Sequence, residues 1–223
     1  MSLRFTSPFL HLYSNHLFQT TVNIFAVNDD PRLAACDLPD KLIVKMPTES
    51  LQLLTPWAFN AHGVYIQKPD GTNYGIKGFA HHPCAKWLYV DPSNVAWLIA
   101  HGLSMCSEYS RRYSGKTHGA QLGILQVRKL FIHNYPGVHP ETHTEFVQAM
   151  PDEFKVPDDA ITAYRNYING YKGYAEWRYS EKPDWWDETK HEPVRNQYLA
   201  EREAKRMNRQ NEKHSRVSAS LQS

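Results

Sequence analysis

The sequence predicts a mainly α-helical protein: one helical domain over residues 1–189 with a minor β element, then a charged helical tail over 190–223 that projects and ends in disorder. Three observations predict it. Asp30-Pro31, Asp91-Pro92 and Asp158-Asp159-Ala160 each set a capping carboxylate ahead of a residue suited to the first helical turn. Behind Asp91, apolar residues recur at helical spacing as far as Tyr113, and Gly115 then supplies a stop. Only the β-branched and aromatic run Thr21 to Val27, and the residues flanking the turn Lys68-Pro69-Asp70-Gly71, carry a strand signature.

In chain order, residues 21–27 read as one strand ending at the turn Asn28-Asp29-Asp30-Pro31. Asp30 and Pro31 open a short helix to Leu38, and Pro39-Asp40 introduces a second to Leu54, which Pro47 should kink or split. Residues 55–80 are rich in Gly, Asn, Pro and aromatics and read as a lid or loop, with Val64-Tyr65-Ile66 and Tyr74-Gly75-Ile76 forming a small hairpin. After the helix that starts at Asp91 come a helix over Ala120 to Phe131, an irregular run from Pro136 to Pro157 and a helix from Asp159 to Tyr167. From Lys190 to Arg216, eight Lys or Arg stand against four Glu with few large apolar residues, so this helix cannot bury a broad face. Ser215 to Ser223 read as disordered.

Composition narrows the function. A net charge of +2 is too near balance to announce a polyanion partner, so any such site must be local. Three cysteines without CxxC spacing argue against a disulfide framework and for a reducing compartment, the cytoplasm. No apolar run reaches signal-peptide or membrane-spanning length, so no membrane partner is expected. Six Trp, thirteen Tyr and twelve His supply stacking surfaces and proton-transfer groups in unusual number.

The richest stretch is His81-His82-Pro83-Cys84, Trp87, and the helix after Asp91. On that helix Trp97, His101, Ser104, Glu108, Arg111 and Arg112 share one face, read either as a cleft wall or as a solvated face with an i, i+4 ion pair. Val95, Leu98, Gly102, Met105, Cys106, Tyr109 and Tyr113 form the core face. Lys41, Lys45, Thr48 and Gln52 project from one side of the preceding helix with Glu49 beside them, a phosphate clamp or a solvated lysine face. Arg111, Arg112, Lys116 and His118 suit a phosphate, or simply complement a helix C-terminus. The His81-His82-Cys84 spacing is poor for a metal ion, and no metal or cofactor is expected. The loop from His139 to Phe154 is long enough to be functional, and Tyr164, Arg165, Tyr167, Tyr171, Lys172, Tyr174, Trp177 and Arg178 interleave aromatics with bases, as in a nucleic-acid surface or a packed Tyr-rich helix.

Read together, these motifs resemble a family of small proteins encoded by tailed phages and other large DNA viruses. The resemblance runs from Asn23-Ile24-Phe25 through Asp29-Asp30-Pro31, Asp40-Lys41, Val44-Lys45-Met46, Glu49-Ser50, Gln52, His82-Pro83-Cys84, Trp87, Ser93-Asn94, Trp97-Leu98 and Glu108-Tyr109 to Arg112-Tyr113, Lys116 and His118. It continues into Gln148-Ala149-Met150-Pro151-Asp152-Glu153 and Ala163-Tyr164-Arg165-Asn166-Tyr167. The chain departs from that pattern at Leu42, where a His commonly follows Asp-Lys, and at Pro47, where an aliphatic residue is usual. The family is similar to enzymes of thymine hypermodification, in which a pyrophosphorylated hydroxymethyl base in DNA exchanges pyrophosphate for an amine or amino acid.

The resemblance implies a transferase acting on a DNA base, with DNA as partner and a small amine or amino acid as co-substrate. Lys41, Lys45, Arg112, Lys116 and His118 would hold phosphate or pyrophosphate, Gln52 would join them, and His82, Glu108 and Asp40 would supply acid–base chemistry. Trp87 and Trp97 would stack on the base and Asn94 would read its edge. A glycosylase-like hydrolase is the close variant and needs an acid group at the sugar instead of a pyrophosphate clamp. The reading from another class is a non-catalytic DNA-binding or host-interaction protein, in which the same cations contact phosphates and the tail adds non-specific affinity.

Overall fold

A computed structural model describes residues 22–220. Seven α-helices are named here in chain order: α1 (Pro31–Cys36), α2 (Asp40–His62), α3 (Pro83–Trp87), α4 (Pro92–Arg112), α5 (Gln121–Asn134), α6 (Ala160–Tyr171) and α7 (Glu188–Ser220). The capping signals hold atom by atom. Asp30 accepts from the amides of Arg32 and Leu33, Asp91 from Ser93, and Asp159 from Thr162, so the first orphan donors of α1, α4 and α6 are satisfied by side chains.

Helix α4 is the hub, packing on α1, α2 and α5, while α2 also packs on α5. Two glycines permit the close approach. A Cβ on Gly102 of α4 would come within 3.0 Å of Ile124, and one on Gly123 of α5 within 2.8 Å of both methyls of Leu51 on α2. The core between them holds Trp57, Trp87, Trp97, Met46, Leu54 and Tyr164. Burying each such large side chain contributes about 1.5–3 kcal/mol, and helices α1 to α6 all supply residues to this cluster.

Several expectations are corrected. Residues 22–27 are buried but form no strand: Phe25 takes a left-handed φ of 43°, the Val27 amide turns back to the Phe25 carbonyl, and other polar groups are taken by side chains, the Asn23 amide donating to Glu49 and the Val27 carbonyl accepting from Arg165. Thr21 lies outside the described residues. Pro47 does not split α2, which runs unbroken through Pro47 and Pro56 to a left-handed Gly63. Each proline removes one backbone bond, and the cost is offset by burial of thirteen α2 residues, from Asp40 to Ala58. The hairpin around Lys68–Gly71 reduces to a single bridge between Gln67 and Asn73. Helix α7 continues to Ser220, past the point where disorder was expected to begin, and the final three residues lie outside the described ones.

Candidate active site

The polar residues singled out from sequence separate into two clusters and a set of core groups. The first cluster lies where the end of α4 meets α1. Arg112, with no side-chain exposure, donates to Glu108 (3.0 Å), to the carbonyls of Leu38 and Cys36 (2.7 Å each) and to Asp40 (3.1 Å). Arg111 adds a two-pronged bond to Glu108, at 3.0 and 2.6 Å. Burial pushes the Glu108 carboxyl up, but the bonds from Arg111 and Arg112 outweigh it and hold the group below its ordinary value. The other oxygen of Asp40 accepts from the Arg178 amide at 2.8 Å. This network ties the C-terminal end of α1 and the start of α2 to α4 and to the segment before α7; Arg112 is enclosed in it, while Arg111, with its side chain 53% exposed, is its outward-facing member.

The face of α4 proposed as a cleft wall is likewise packed. Trp97 and His101 are fully buried; the Trp97 indole donates to the Asp29 carbonyl at 2.7 Å and His101 Nδ1 lies 3.0 Å from the Pro31 carbonyl. Trp87 donates to the Glu145 carbonyl at 2.9 Å and meets Trp97 edge to face. Asn94, also fully buried, bonds the Trp87 carbonyl and both the hydroxyl and the amide of Thr144. Trp87, Trp97 and Asn94 therefore stand in the core, with no exposed ring or amide edge for a base. The loop from His139 to Phe154 is the strap they hold, with Phe146 packed on both the Trp87 and Trp97 rings. Tyr164 and Tyr167 are packed in the same manner, Tyr164 donating to the Val147 carbonyl at 2.8 Å.

The remaining predicted residues are scattered. His82 caps α3 by accepting the Cys84 amide at 3.2 Å, and burial lowers its pKa. His118 has both ring nitrogens on backbone, Nε2 at 3.0 Å from the Val44 carbonyl and Nδ1 accepting from Ala120. Lys116 is exposed in the turn after α4. Lys41 donates to the Tyr198 hydroxyl at 2.9 Å and lies over the Tyr174 and Tyr198 rings, which makes it an anchor for α7.

The second cluster is open. Lys45, Thr48, Glu49 and Gln52, at i, i+3, i+4 and i+7 on α2, line a cavity of about 500 Å³ with Val22, Val44 and Phe79. Its size is that of a small-molecule or nucleotide pocket. Glu49 is the buried charge in it, 6% exposed. One carboxylate oxygen accepts the Asn23 amide at 3.0 Å, and the other lies 2.6 Å from the Lys45 ammonium, whose side chain is 56% exposed. Behind them, Lys172 donates to the Tyr167 hydroxyl at 2.8 Å and sits over the Phe25, Tyr167 and Tyr171 rings. Burial, helped by the Lys45 charge and opposed by Glu49, lowers the Lys172 amine to about 8.

Glu49 stood beside the predicted clamp without a role, Val22 and Phe79 were not selected as site residues, and Lys172 was named only within the aromatic and basic run from Tyr164 to Arg178. The α2 spacing signals Glu49. Nothing local signals the other three, which arrive from distant segments.

Comparison with known proteins covers both clusters, since Cys36, Asp40, Glu108 and Arg112 lie in the matched segment as well as the α2 pocket. Residues 22–120 match the model of a family described as pyrimidine dimer DNA glycosylase, so the chain is similar over that segment to a family of DNA-acting enzymes. The matched segment begins at Val22 and contains every residue that lines the pocket. No curated protein and no solved structure matches the chain.

Proposed function

We propose that this protein cleaves the N-glycosidic bond of a pyrimidine nucleotide in DNA, and that the α2 pocket is where it does so. The observation that carries the reading is Glu49: a buried carboxylate, fixed through both oxygens, on the wall of an open pocket that lies wholly within the segment resembling a glycosylase family. Breaking the C1′–N bond leaves positive charge on the sugar; a preorganised carboxylate stabilises that charge and draws a proton from the water that forms the new C1′–O bond, while the base departs with the bonding electron pair and takes up a proton from solvent. An enzyme doing this must take the nucleotide out of the base stack. The pocket offers Phe79 as an apolar wall, the Gln52 amide and Thr48 hydroxyl as hydrogen-bonding partners for a base edge, and Lys45 at the mouth for a flanking phosphate.

The transferase reading asks for more cations than the pocket provides. Of the expected pyrophosphate clamp, Arg112 and His118 are bonded to protein groups and Lys41 to Tyr198, and Lys116 is exposed in the turn after α4, outside the pocket lining, which leaves Lys45 at the mouth. A pyrophosphate leaving group calls for several converging positive charges, whereas departure of a base from a sugar needs one carboxylate.

The test is to incubate the protein with three duplexes, one carrying a thymine dimer, one unmodified and one carrying pyrophosphorylated hydroxymethyl bases, and to analyse strand breaks and nucleosides by mass spectrometry. Abasic sites at the dimer, formed about 10²–10⁴-fold more slowly by Glu49→Gln with DNA affinity retained, are the expected result. Exchange at the pyrophosphorylated base without base loss, or unchanged nucleosides on all three duplexes, overturns the reading.

A further inference from the structure

Helix α7 begins as part of the body and ends outside it. Its first three turns are docked: His191 is buried with Nε2 at 3.2 Å from the Lys172 carbonyl, and Tyr198 closes over Lys41. The contact at Gly173 is tight enough that a Cβ there would meet Tyr198 at 2.5 Å and the Val194 carbonyl at 2.6 Å. From Leu199 to Lys213 every residue is exposed.

The exposed part is not charged at random. At about 100° per residue, Arg195, Arg202, Arg206, Arg209 and Lys213 fall within an arc of about 60°, a stripe about 27 Å long. Glu201, Glu203 and Glu212 lie outside that arc on both flanks. Arg206 touches Glu203 at 3.0 Å, yet its side chain stays 66% exposed. An ordinary solvated helix intersperses its charges at i, i+4 to pair them. Here Lys205 alone of the cations from Arg195 to Lys213 stands off the arc, i+4 from Glu201, and the other five are segregated from the glutamates, at a cost in self-repulsion that a polyanion would relieve.

The stripe also has a direction. The arc lies beside the positions of His191 and Tyr198, so the face turned toward the body over the docked turns becomes cationic where the body ends. Tyr198, the last docked residue, sits on Lys41, one turn of α2 before Lys45 at the pocket mouth. Along the exposed part Leu199 and Met207 are the large apolar residues, too few for the apolar face that an interfacial membrane helix requires.

We propose that this stripe of α7 binds the phosphate backbone of duplex DNA and extends the footprint of the α2 pocket along the double helix. The choice of DNA among polyanions rests on the glycosidase reading of that pocket. Cations in line on one helix face contact successive phosphates without reading bases, which suits an enzyme that must hold the duplex beside a lesion of any surrounding sequence.

The experiment measures binding of the full chain to an undamaged, fluorescently labelled 25-base-pair duplex from 50 to 300 mM salt. It compares the parent with Arg202→Gln, Arg206→Gln, Arg209→Gln and Lys213→Gln combined, glutamine keeping helix propensity. A charge-matched control removes four exposed cations elsewhere, through Lys68→Gln, Lys77→Gln, Arg128→Gln and Lys129→Gln. The stripe variant is expected to bind at least about tenfold more weakly at low salt, with a log–log salt slope shallower by about one unit for each phosphate that the stripe no longer neutralises. Circular dichroism is expected to stay unchanged, and the control to bind like the parent. Parent-like binding by the stripe variant, an equal weakening in the control, or no binding by the parent overturns the proposal. Because no chemistry is read, failure here is distinguishable from failure of the excision assay.

Discussion

The two polar clusters differ in what their charges are bonded to. At the α1–α4 seam, a fully buried guanidinium spends its donors on two carbonyls and two carboxylates of the chain itself. In the α2 pocket, a buried carboxylate is held by one amide and by one ammonium whose side chain remains 56% exposed. A guanidinium so enclosed has nothing left to offer a ligand, and its removal is felt as stability. Each carboxylate has one exposed cation, Arg111 at Glu108 and Lys45 at Glu49, but without it Glu108 keeps a buried guanidinium whereas Glu49 keeps a backbone amide, so only the pocket is left with charge to offer. The residue types are alike in both places, so it is connectivity that separates scaffold from site.

The sharpest way to break the comparison is Arg112→Met. Taking away one member of a buried ion network typically costs about 3–5 kcal/mol, which for a chain of this size lowers Tm by about 10 °C. Thermal and urea unfolding should show that decrease, while the folded fraction keeps its excision rate per molecule. A variant with parental Tm and abolished excision would move the site to the seam.

How much of this was legible in sequence follows from range. The caps at Asp30, Asp91 and Asp159 were legible because a carboxylate and the amides it satisfies lie within three residues of each other. The continuity of α2 through Pro47 was not, since it depends on burial against α4 and α5. Lys45 and Gln52 were legible as one helical face, but Glu49's place in the pocket needs the Asn23 amide, 26 residues away. Trp87, Trp97 and Asn94 were misplaced because an aromatic or amide at helical spacing reads the same whether it faces a base or the core. The Arg112 cluster was read as a clamp for an external anion. Its anions are Glu108 and Asp40, and its remaining acceptors are backbone carbonyls that no residue pattern announces.

The next largest effect is the acid sensitivity of the same seam. His101 is fully buried, and burial pushes it down to about 4 from 6.5. Its folded value lies below its unfolded one, so the unfolded chain takes up the proton first. Stability is therefore complete above about pH 6.5, falls as pH drops toward 4, and levels off below that. The shift corresponds to about 3 kcal/mol. Urea titrations at pH 7 and pH 4 should show the parent losing about that much more than His101→Gln, whereas Glu49→Gln should leave the difference intact. Equal decreases in parent and His101→Gln would place the acid sensitivity elsewhere.

Lys45→Met gives the smallest change in stability and the clearest test of the contrast. An ion pair with an exposed partner contributes about 0–1 kcal/mol, and Glu49 keeps the Asn23 amide as a partner when Lys45 is gone. Unfolding should therefore barely register the substitution. Binding should register it: if Lys45 leaves Glu49 for a flanking phosphate, its removal weakens affinity for a duplex with an abasic-site analogue and makes the salt slope shallower by about one unit. Stability and binding would then respond in opposite proportion at Lys45 and at Arg112. If Lys45→Met instead destabilised the fold as Arg112→Met does and left DNA affinity untouched, the pocket would be a second structural seam, and Glu49 would be one more carboxylate of the scaffold.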